Sequence, residues 1–379
     1  MASERALEIG LRVPFVDLRP MHEPVKGEIL LELADLIDEG AFTNGRQVRE
    51  FEDAFAAYCE AGFCVGMASG LDALRLGLLA GGLSPGDEVI VPAQTFIATF
   101  EAVSQAGGIP VPADISETDY GLDPEAVEGA VTERTGALLP VHLFGQMADL
   151  RALRRVAERH GLWLLEDACQ AHGAVRDGIT AGSGGRAAAF SFYPGKNLGA
   201  FGDAGALVTS DGELAARARA LREHGQARKH EHEHSGYTAR LDTIQALALQ
   251  RKLPHLEAWN AERRRAARWY SEALRGVGDL RLPPVTSGSE PVWHVYVVRT
   301  ADPDGLADFL ARRRVATARH YPRPPHLTPA CASLGKGAGA FPVAEALARE
   351  ALSLPLYPGI SSAQQEWVAE SIAEYFHRG

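Results

Sequence analysis

One lysine in this 379-residue sequence lies where it could act as a nucleophile. Lys196 lies in the glycine-rich segment PGKNLGAFGD, directly after the mostly apolar run 190–193, and Ser191 precedes it by five residues. A lysine among glycines is usually an exposed loop residue. An apolar environment, however, lowers the pKa of a lysine and favours Schiff-base chemistry with a carbonyl compound. The segment therefore indicates a reactive amine with a hydroxyl group nearby.

Acidic and amide side chains follow another apolar run. The run 162–165 leads into EDACQAHG, which contains Asp167 and Gln170. A carboxylate in this position is often only a helix cap or a loop residue. Alternatively, it lies at the carboxyl edge of a sheet, where open α/β folds bind their ligands, and keeps the ring nitrogen of a cofactor protonated. These residues alone leave both interpretations open.

A phosphate site is the third candidate feature. The segment Ser69–Gly70–Leu71 joins an apolar run that ends at Met67 to a helical pattern. Backbone N–H groups at a helix start bind phosphate, although glycine is common in any turn of this kind. The three segments together, in this order, indicate a phosphorylated cofactor with a pyridine ring that is attached to a lysine.

The elements that must position these residues follow from the apolar pattern. Between residues 60 and 210, short apolar runs alternate with amphipathic segments, which predicts βα units and a mostly parallel sheet. Strands are predicted at 63–67, 88–91, 109–112, 137–141, 162–165, 187–193 and 204–209, and helices near 71–80, 95–107, 123–131, 149–160 and 211–223. A charged helical pattern from 241 to about 274, broken by Pro254, precedes a strand at 292–299 and helices at 303–314 and 361–376.

This organisation predicts two domains. We expect a large domain in residues 1–255, and a connector helix with a smaller α+β domain in residues 256–379. The N-terminal segment could pack on the smaller domain.

The composition argues against two classes of partner. With 38 Lys and Arg against 49 Asp and Glu, the formal net charge is −11, which argues against a nucleic-acid partner. No run approaches the roughly eighteen apolar residues of a membrane span.

The charged start MASERALEIG lacks the apolar centre of a signal peptide, and the four cysteines form no Cys-x-x-Cys pair. We therefore expect a cytoplasmic protein with reduced thiols.

Histidines and glutamates alternate in the segment RKHEHEH at 228–234. This pattern could bind a metal ion. A polar loop of this kind is more often simply solvated, and we expect no metal site.

Further motifs complete a pattern that covers nearly the whole chain. They are VPFVDL from Val13, PGDEVIVP from Pro85, PVHLFGQ from Pro140 and HYP from His320. With the three segments above, they resemble the DegT/DnrJ/EryC1/StrS family, the sugar-aminotransferase branch of the fold-type I pyridoxal-phosphate enzymes. The resemblance implies an α/β large domain, with a mostly parallel mixed sheet flanked by helices, and a smaller C-terminal α+β domain.

The resemblance also implies a reaction. Family members use pyridoxal 5'-phosphate, which passes through pyridoxamine 5'-phosphate, to move an amino group from L-glutamate to a nucleotide-linked keto sugar. They do so as homodimers with shared active sites. The segment GLDAL from Gly70 resembles the branch that acts on 3-keto rather than 4-keto sugars.

Three other functions are alternatives to this reaction. They are transamination of a cyclitol or another ketone, a sugar dehydratase of the same fold, and a noncatalytic regulatory protein that binds the cofactor. The dehydratases of this family have histidine in place of the Schiff-base lysine, so Lys196 argues against that activity.

By resemblance, each candidate residue has a role. Lys196 holds the cofactor and Asp167 pairs with its ring nitrogen, and these are the expected catalytic residues. The other expected cofactor contacts are Gln170 at the ring hydroxyl, Phe96 on the ring face, and Ser69, Gly70, Leu71 and Ser191 at the phosphate. The expected substrate contacts are Tyr193, His320 and Arg240. Thr238 replaces an asparagine that, in many family members, reaches the phosphate in the partner subunit's site.

Overall fold

The structure, a computed structural model, describes residues 11–377. The α-helices are α1 (Arg19–His22), α2 (Lys26–Glu39), α3 (Arg46–Tyr58), α4 (Gly70–Ala80), α5 (Ala98–Gln105), α6 (Pro124–Ala130), α7 (Leu150–His160), α8 (Gly212–Arg222), α9 (Thr243–Lys252), α10 (Leu256–Ala273), α11 (Pro303–Arg312), α12 (Pro342–Glu350) and α13 (Ser362–His377). The strands are β1 (Phe63–Met67), β2 (Glu88–Pro92), β3 (Ile109–Ala113), β4 (Thr135–Leu138), β5 (Trp163–Asp167), β6 (Val175–Arg176), β7 (Ile179–Thr180), β8 (Ala187–Ser191), β9 (Gly205–Thr209), β10 (Gln226–Arg228), β11 (Glu231–His232), β12 (Ser289–Glu290), β13 (Tyr296–Arg299) and β14 (Ala351–Leu354). The charged start at 1–10, on which the expectation about a signal peptide depends, lies outside the described residues. Within 11–377, no helix is long and apolar enough to cross a membrane.

A seven-stranded sheet in the order β1-β9-β8-β5-β4-β2-β3 forms the centre of the fold. β9 runs antiparallel to β1 and β8, and the other neighbouring strands are parallel. The predicted α/β fold with a mixed, mostly parallel sheet is therefore confirmed. Because β1, β2, β5 and β8 point the same way, their carboxyl ends lie at one edge of the sheet, where β9 begins.

The bounds of β4 differ from the predicted 137–141, because the strand ends at Leu138. Pro140 has no N–H group to donate to the ladder, and its carbonyl accepts a hydrogen bond from Asp167 N (2.8 Å). Pairing resumes as an isolated parallel bridge between Val141 and Asp167. The backbone of Asp167 is therefore tied to the neighbouring segment at the edge of the sheet.

Both faces of the sheet are covered by apolar packing. Along β2, Val89 and Val91 belong to one core and Ile90 belongs to the other, as the alternation of side chains in a strand requires. Helices α4 and α5 pack on the first face, while α3 and α7 pack on the second. This burial on both sides explains why the strands are continuous apolar runs in the sequence.

A separate apolar core lies in the C-terminal part of the chain. It is called the second core here, and the packing on the two faces of the sheet is called the sheet core. The second core surrounds the antiparallel pair β13–β14 and contains Tyr270 of α10 and Trp367 of α13. Val13 joins this core and pairs with Val315, since Val13 N donates to Arg314 O (3.0 Å). We propose that the domain boundary lies near residue 255, because α10 begins in the sheet core at Leu256 and continues into the second core.

Two segments meet so closely at the sheet edge that one position there must be glycine. A Cβ atom on Gly205, the first residue of β9, would lie 2.3 Å from the backbone C and O atoms of Ser69. Because these neighbours are backbone atoms, they cannot move aside without displacing the Ser69–Gly70 turn.

We therefore expect Gly205→Ala to lower the free energy of unfolding by about 1–3 kcal/mol through overpacking. The matched control is Gly136→Ala in β4, where the nearest atom to an added Cβ lies 3.5 Å away. Denaturant unfolding measures both variants. Equal stabilities for the two variants would contradict the close approach.

Candidate active site

A cavity of about 510 Å³ lies between the carboxyl edge of the sheet and the second core. It brings together ten of the residues that the sequence singled out: Ser69, Gly70, Leu71, Phe96, Asp167, Gln170, Ser191, Tyr193, Lys196 and His320. Leu354 and Leu356 contribute apolar wall from the second core. Residues from distant parts of the chain thus share one partly enclosed space.

Lys196 lies in the turn that follows β8, where its backbone N–H donates to Tyr193 O (2.8 Å). Burial lowers the pKa of Lys196, and the nearby Cys169 and Asp167 oppose that shift. No residue within 11–377 accepts a hydrogen bond from Lys196 Nζ or forms a salt bridge with it. The structure therefore provides a desolvated amine that is available to react.

Asp167 is the last residue of β5, and its carboxylate is buried. Thr99 Oγ1 of α5 donates to its Oδ2 (2.9 Å), and Cys169 N donates to its Oδ1 (3.2 Å). No cation in the described chain pairs with this carboxylate. A held anion without a countercharge can stabilise a protonated ring nitrogen.

Gln170 and two aromatic residues also line the cavity. Gln170 Oε1 accepts a hydrogen bond from Phe144 N (2.7 Å), so its amide nitrogen faces Tyr321, to whose hydroxyl it donates (3.1 Å). The rings of Tyr321 and Phe96 lie 5.4 Å apart, and Phe96 is 52% exposed. An aromatic face that is open to a cavity can stack on a planar ligand.

The Ser69–Gly70 turn forms the start of α4. The hydroxyl of Ser69 accepts a hydrogen bond from Asp72 N (3.0 Å) and thereby caps the helix. The N–H groups of Gly70 and Leu71 are in the first turn, where no intrahelical acceptor exists. A Cβ on Gly70 would lie 2.7 Å from Ser191 Cβ and 2.8 Å from Cys169 Sγ, so glycine allows Ser191 to pack close to this helix start. Ser191 and the N–H groups of Gly70 and Leu71 can then contact the same anion.

Three neutral histidines surround this site. Burial lowers the pKa of His320 to about 4 and that of His172 to about 3, and the positive charge of Lys196 adds to both shifts. Burial also lowers the pKa of His294 well below its ordinary value. His172 donates from Nε2 to Ser191 O (2.9 Å), and His320 Nδ1 bonds Ser353 Oγ (2.8 Å).

Sequence reasoning assigned no role to Thr99, Tyr321 or His294. Tyr321 lies within the recognised motif HYP, and Thr99 lies three residues after Phe96, but their contacts depend on tertiary structure. His294 lies in the apolar run PVWHVYVV, and a polar residue in such a run could have indicated a functional role.

Thr238 and Arg240 do not lie in this cavity. Thr238 Oγ1 bonds His224 Nε2 (3.2 Å), and Arg240 forms a salt bridge with Glu223 (2.8 Å). Both follow the hairpin β10–β11. Within residues 11–377, no three His, Cys, Asp or Glu side chains are grouped so that they could hold a metal ion.

The fold and this cavity together are those of a fold-type I pyridoxal-phosphate enzyme. The DegT/DnrJ/EryC1/StrS aminotransferase family matches residues 24–373, and the chain belongs to this family. It is 47% identical over 367 residues to dTDP-3-amino-3,4,6-trideoxy-alpha-D-glucose transaminase of Streptomyces venezuelae, with 97% of each chain covered.

Two solved structures are similar to this chain. The first is S. venezuelae DesV in complex with a ketimine intermediate, with a TM-score of 0.95, 47% identity, and coverage of 97% of this chain and 99% of that one. The second is NtdA from Bacillus subtilis with bound pyridoxamine phosphate, with a TM-score of 0.90, 31% identity, and coverage of 97% and 85%. The chain is thus an aminotransferase that depends on pyridoxal phosphate.

The residues of the cavity fit this cofactor. The amine of Lys196 and the carboxylate of Asp167 both lack an ionic partner in the described chain, and Gly70 lets Ser191 approach the N–H groups of a helix start. These three observations match the aldehyde, the ring nitrogen and the phosphate of pyridoxal phosphate.

The carboxylate of Asp167 should matter more for rate than for cofactor binding. We expect Asp167→Asn to lower kcat by roughly 10²-fold or more, because a neutral amide does not hold the ring nitrogen protonated. Thr99→Val keeps the carboxylate and loses one hydrogen bond, so it should lower kcat only about tenfold. Steady-state kinetics and cofactor titration measure both variants, and an unchanged kcat in Asp167→Asn would assign Asp167 to capping.

Proposed function

We propose that this protein transfers the amino group of L-glutamate to the C3 ketone of a nucleotide-linked sugar. The observation that carries the proposal is the cavity that combines the unpaired amine of Lys196 with the uncompensated carboxylate of Asp167. The name of the S. venezuelae relative, a transaminase of a dTDP-3-amino sugar, supports the sugar and the position of the amine.

The positions of the side chains around the cavity support a role for each in holding the cofactor. Lys196 would hold pyridoxal phosphate, and Asp167 and Gln170 would face its ring nitrogen and ring hydroxyl. Phe96 would cover the ring face, and Ser191 with the N–H groups of Gly70 and Leu71 would bind the phosphate. When bound, the cofactor supplies an electron sink for a carbanion at the substrate carbon.

Lys196 also moves the proton in this proposal. Burial lowers its pKa and so favours the unprotonated form of Nζ, the form that takes the proton from the α-carbon of glutamate. In the second half-reaction Nζ delivers a proton to the sugar carbon. The apolar side chains of Leu354 and Leu356 limit water near this amine. Tyr193, which is 59% exposed, and His320 would contact the sugar at the mouth.

We expect the pyridoxamine form of the protein to aminate a dTDP-linked 3-keto hexose at least tenfold faster than the 4-keto isomer. The assay offers both isomers, and the UDP-linked 3-keto sugar, to protein first converted with glutamate, and records product masses. Lys196→Ala is the control and should form no product, because it lacks the proton-transfer group.

Two results would contradict this proposal. A preference for the 4-keto isomer would refute the assigned position. Failure to convert glutamate to 2-oxoglutarate in the first half-reaction would refute glutamate as the amino donor.

The proposal includes a homodimer in the cytoplasm. Four large apolar side chains in and after α2 are exposed, namely Leu30, Leu31, Ile37 and Phe42, and Leu31 reaches 73% exposure. An exposed apolar patch of this kind fits a protein interface, and a second copy of the chain is the simplest occupant. Thr238 and Arg240, which follow the hairpin β10–β11, would face the partner's cavity, where they would contact a phosphate and an anionic substrate.

A subunit-mixing experiment tests the shared site. Lys196→Ala subunits are mixed with subunits carrying Thr238→Asp and Arg240→Glu, which place negative charge where the partner's anions bind. Random exchange should restore about a quarter of wild-type activity, because half of the dimers are mixed and each has one intact site. Exchange proven by mass spectrometry without any recovery would refute the shared site.

A further inference from the structure

A chain of buried amides connects the lysine segment to α10. Asn197 directly follows Lys196 and is 1% exposed. Its Nδ2 donates to Asn260 Oδ1 (2.9 Å) and to Val292 O (2.9 Å). Both hydrogens of the Asn197 amide are therefore engaged, and its oxygen must face the other way.

The orientation of Asn260 is determined independently. Asn260 Nδ2 donates to the backbone carbonyl of His172 (2.9 Å), so its oxygen faces Asn197. Rotating either amide by 180° would place like groups against each other in a buried site, at the cost of an unsatisfied donor or acceptor. The two amides therefore have one consistent arrangement.

This arrangement determines the tautomer of His294. His294 Nδ1 lies 3.2 Å from Asn197 Oδ1, which can only accept a hydrogen bond, so Nδ1 carries the proton. The imidazole is neutral, because burial lowers its pKa well below the ordinary value. Its Nε2 therefore has a lone pair and no hydrogen.

The free nitrogen belongs to the cavity. His294 lines the cavity, and no group within 11–377 bonds its Nε2. The backbone next to it is also held, because Arg263 Nη1 of α10 donates to Trp293 O and His294 O (3.2 Å each). α10 thus controls both the position and the tautomer of this residue.

We infer that His294 is a substrate-recognition residue whose Nε2 accepts a hydrogen bond from a hydroxyl of the keto sugar, and that Asn197 and Asn260 are its positioning residues. This inference rests on the proposed function. The sugar ring carries hydroxyl donors that match a lone pair. The carboxylates of glutamate have no hydrogen to donate, and its amino group is engaged at the reacting carbon.

Two variants at one position separate the hydrogen bond from the shape of the side chain. His294→Met fills a similar volume without an acceptor of comparable strength, whereas His294→Gln keeps an amide oxygen that can accept. The ratio of the KM for the keto sugar to the KM for glutamate should rise about tenfold in His294→Met, the loss expected for one hydrogen bond. In His294→Gln this ratio should stay within about threefold of the wild type.

A spectroscopic measurement tests the positioning network without catalysis. In protein labelled with ¹⁵N-histidine, the signals that disappear in His294→Gln belong to His294. They should show a protonated, pyrrole-type Nδ1 and an unprotonated, pyridine-type Nε2. Asn197→Asp replaces the donor amide with a carboxylate that disrupts this arrangement, and it should change these signals in protein whose circular dichroism is unaltered.

The outcomes distinguish this inference from the proposed function. A wild-type protein that aminates keto sugars, with an unchanged KM ratio in His294→Met, would overturn the sugar contact alone. A protonated Nε2 would overturn the positioning network. A wild-type protein that aminates no keto sugar would overturn the proposed function, and the sugar contact with it.

Discussion

The desolvation of Lys196 is the physical constraint on which the site depends. A buried ammonium group is unfavourable unless an anion pairs with it, and no residue in the described chain does so. The carboxylate of Asp167 could form such an ion pair, but it is held instead by Thr99 and by the backbone N–H of Cys169. An ion pair would raise the pKa of Lys196 and stabilise its unreactive, protonated form. The absence of such an ion pair therefore favours the reactive form of the amine and leaves the carboxylate available to the cofactor ring.

The same burial keeps the surrounding histidines neutral. His172, His294 and His320 all have lowered pKa values, and the charge of Lys196 contributes to each shift. Their polar atoms can therefore orient groups without adding positive charge beside the amine. His172 holds the backbone of Ser191, where the phosphate contact is proposed, and the other two line the cavity. Neutral acceptors of this kind suit hydroxyl groups better than carboxylates.

The sequence predicted the parts of the site that follow strands. Lys196, Asp167 and Ser69 each come at or just after a strand end, so an α/β pattern alone places them at one sheet edge. The apolar runs also predicted the seven strands of the sheet, although β4 ends at Leu138, before Pro140, and β8 ends at Ser191 rather than at residue 193. Gln170 and Phe96 were assigned by resemblance, and the structure places them in the cavity.

Other features could not be predicted, because they depend on contacts between distant segments. The hydrogen bond from Thr99 to Asp167 joins residues that are 68 positions apart. The hydrogen bond from Gln170 to Tyr321 joins residues that are 151 positions apart. The tautomer of His294 depends on the amides of Asn197 and Asn260 and on the two backbone carbonyls that accept hydrogen bonds from them. Thr238 and Arg240 remain predictions, since their proposed targets lie in a second copy of the chain.

The path of α10 explains how one rigid element can serve both halves of the cavity. The helix begins against the sheet core at Leu256 and packs Tyr270 into the second core. Between these points, Asn260 holds the residue next to Lys196, and Arg263, less than one turn further on, holds the backbone at His294. A shift of the second core relative to the sheet would have to break hydrogen bonds of buried groups, including those of a buried guanidinium. The helix that joins the two cores therefore fixes the position of the reacting amine relative to the proposed sugar-binding group.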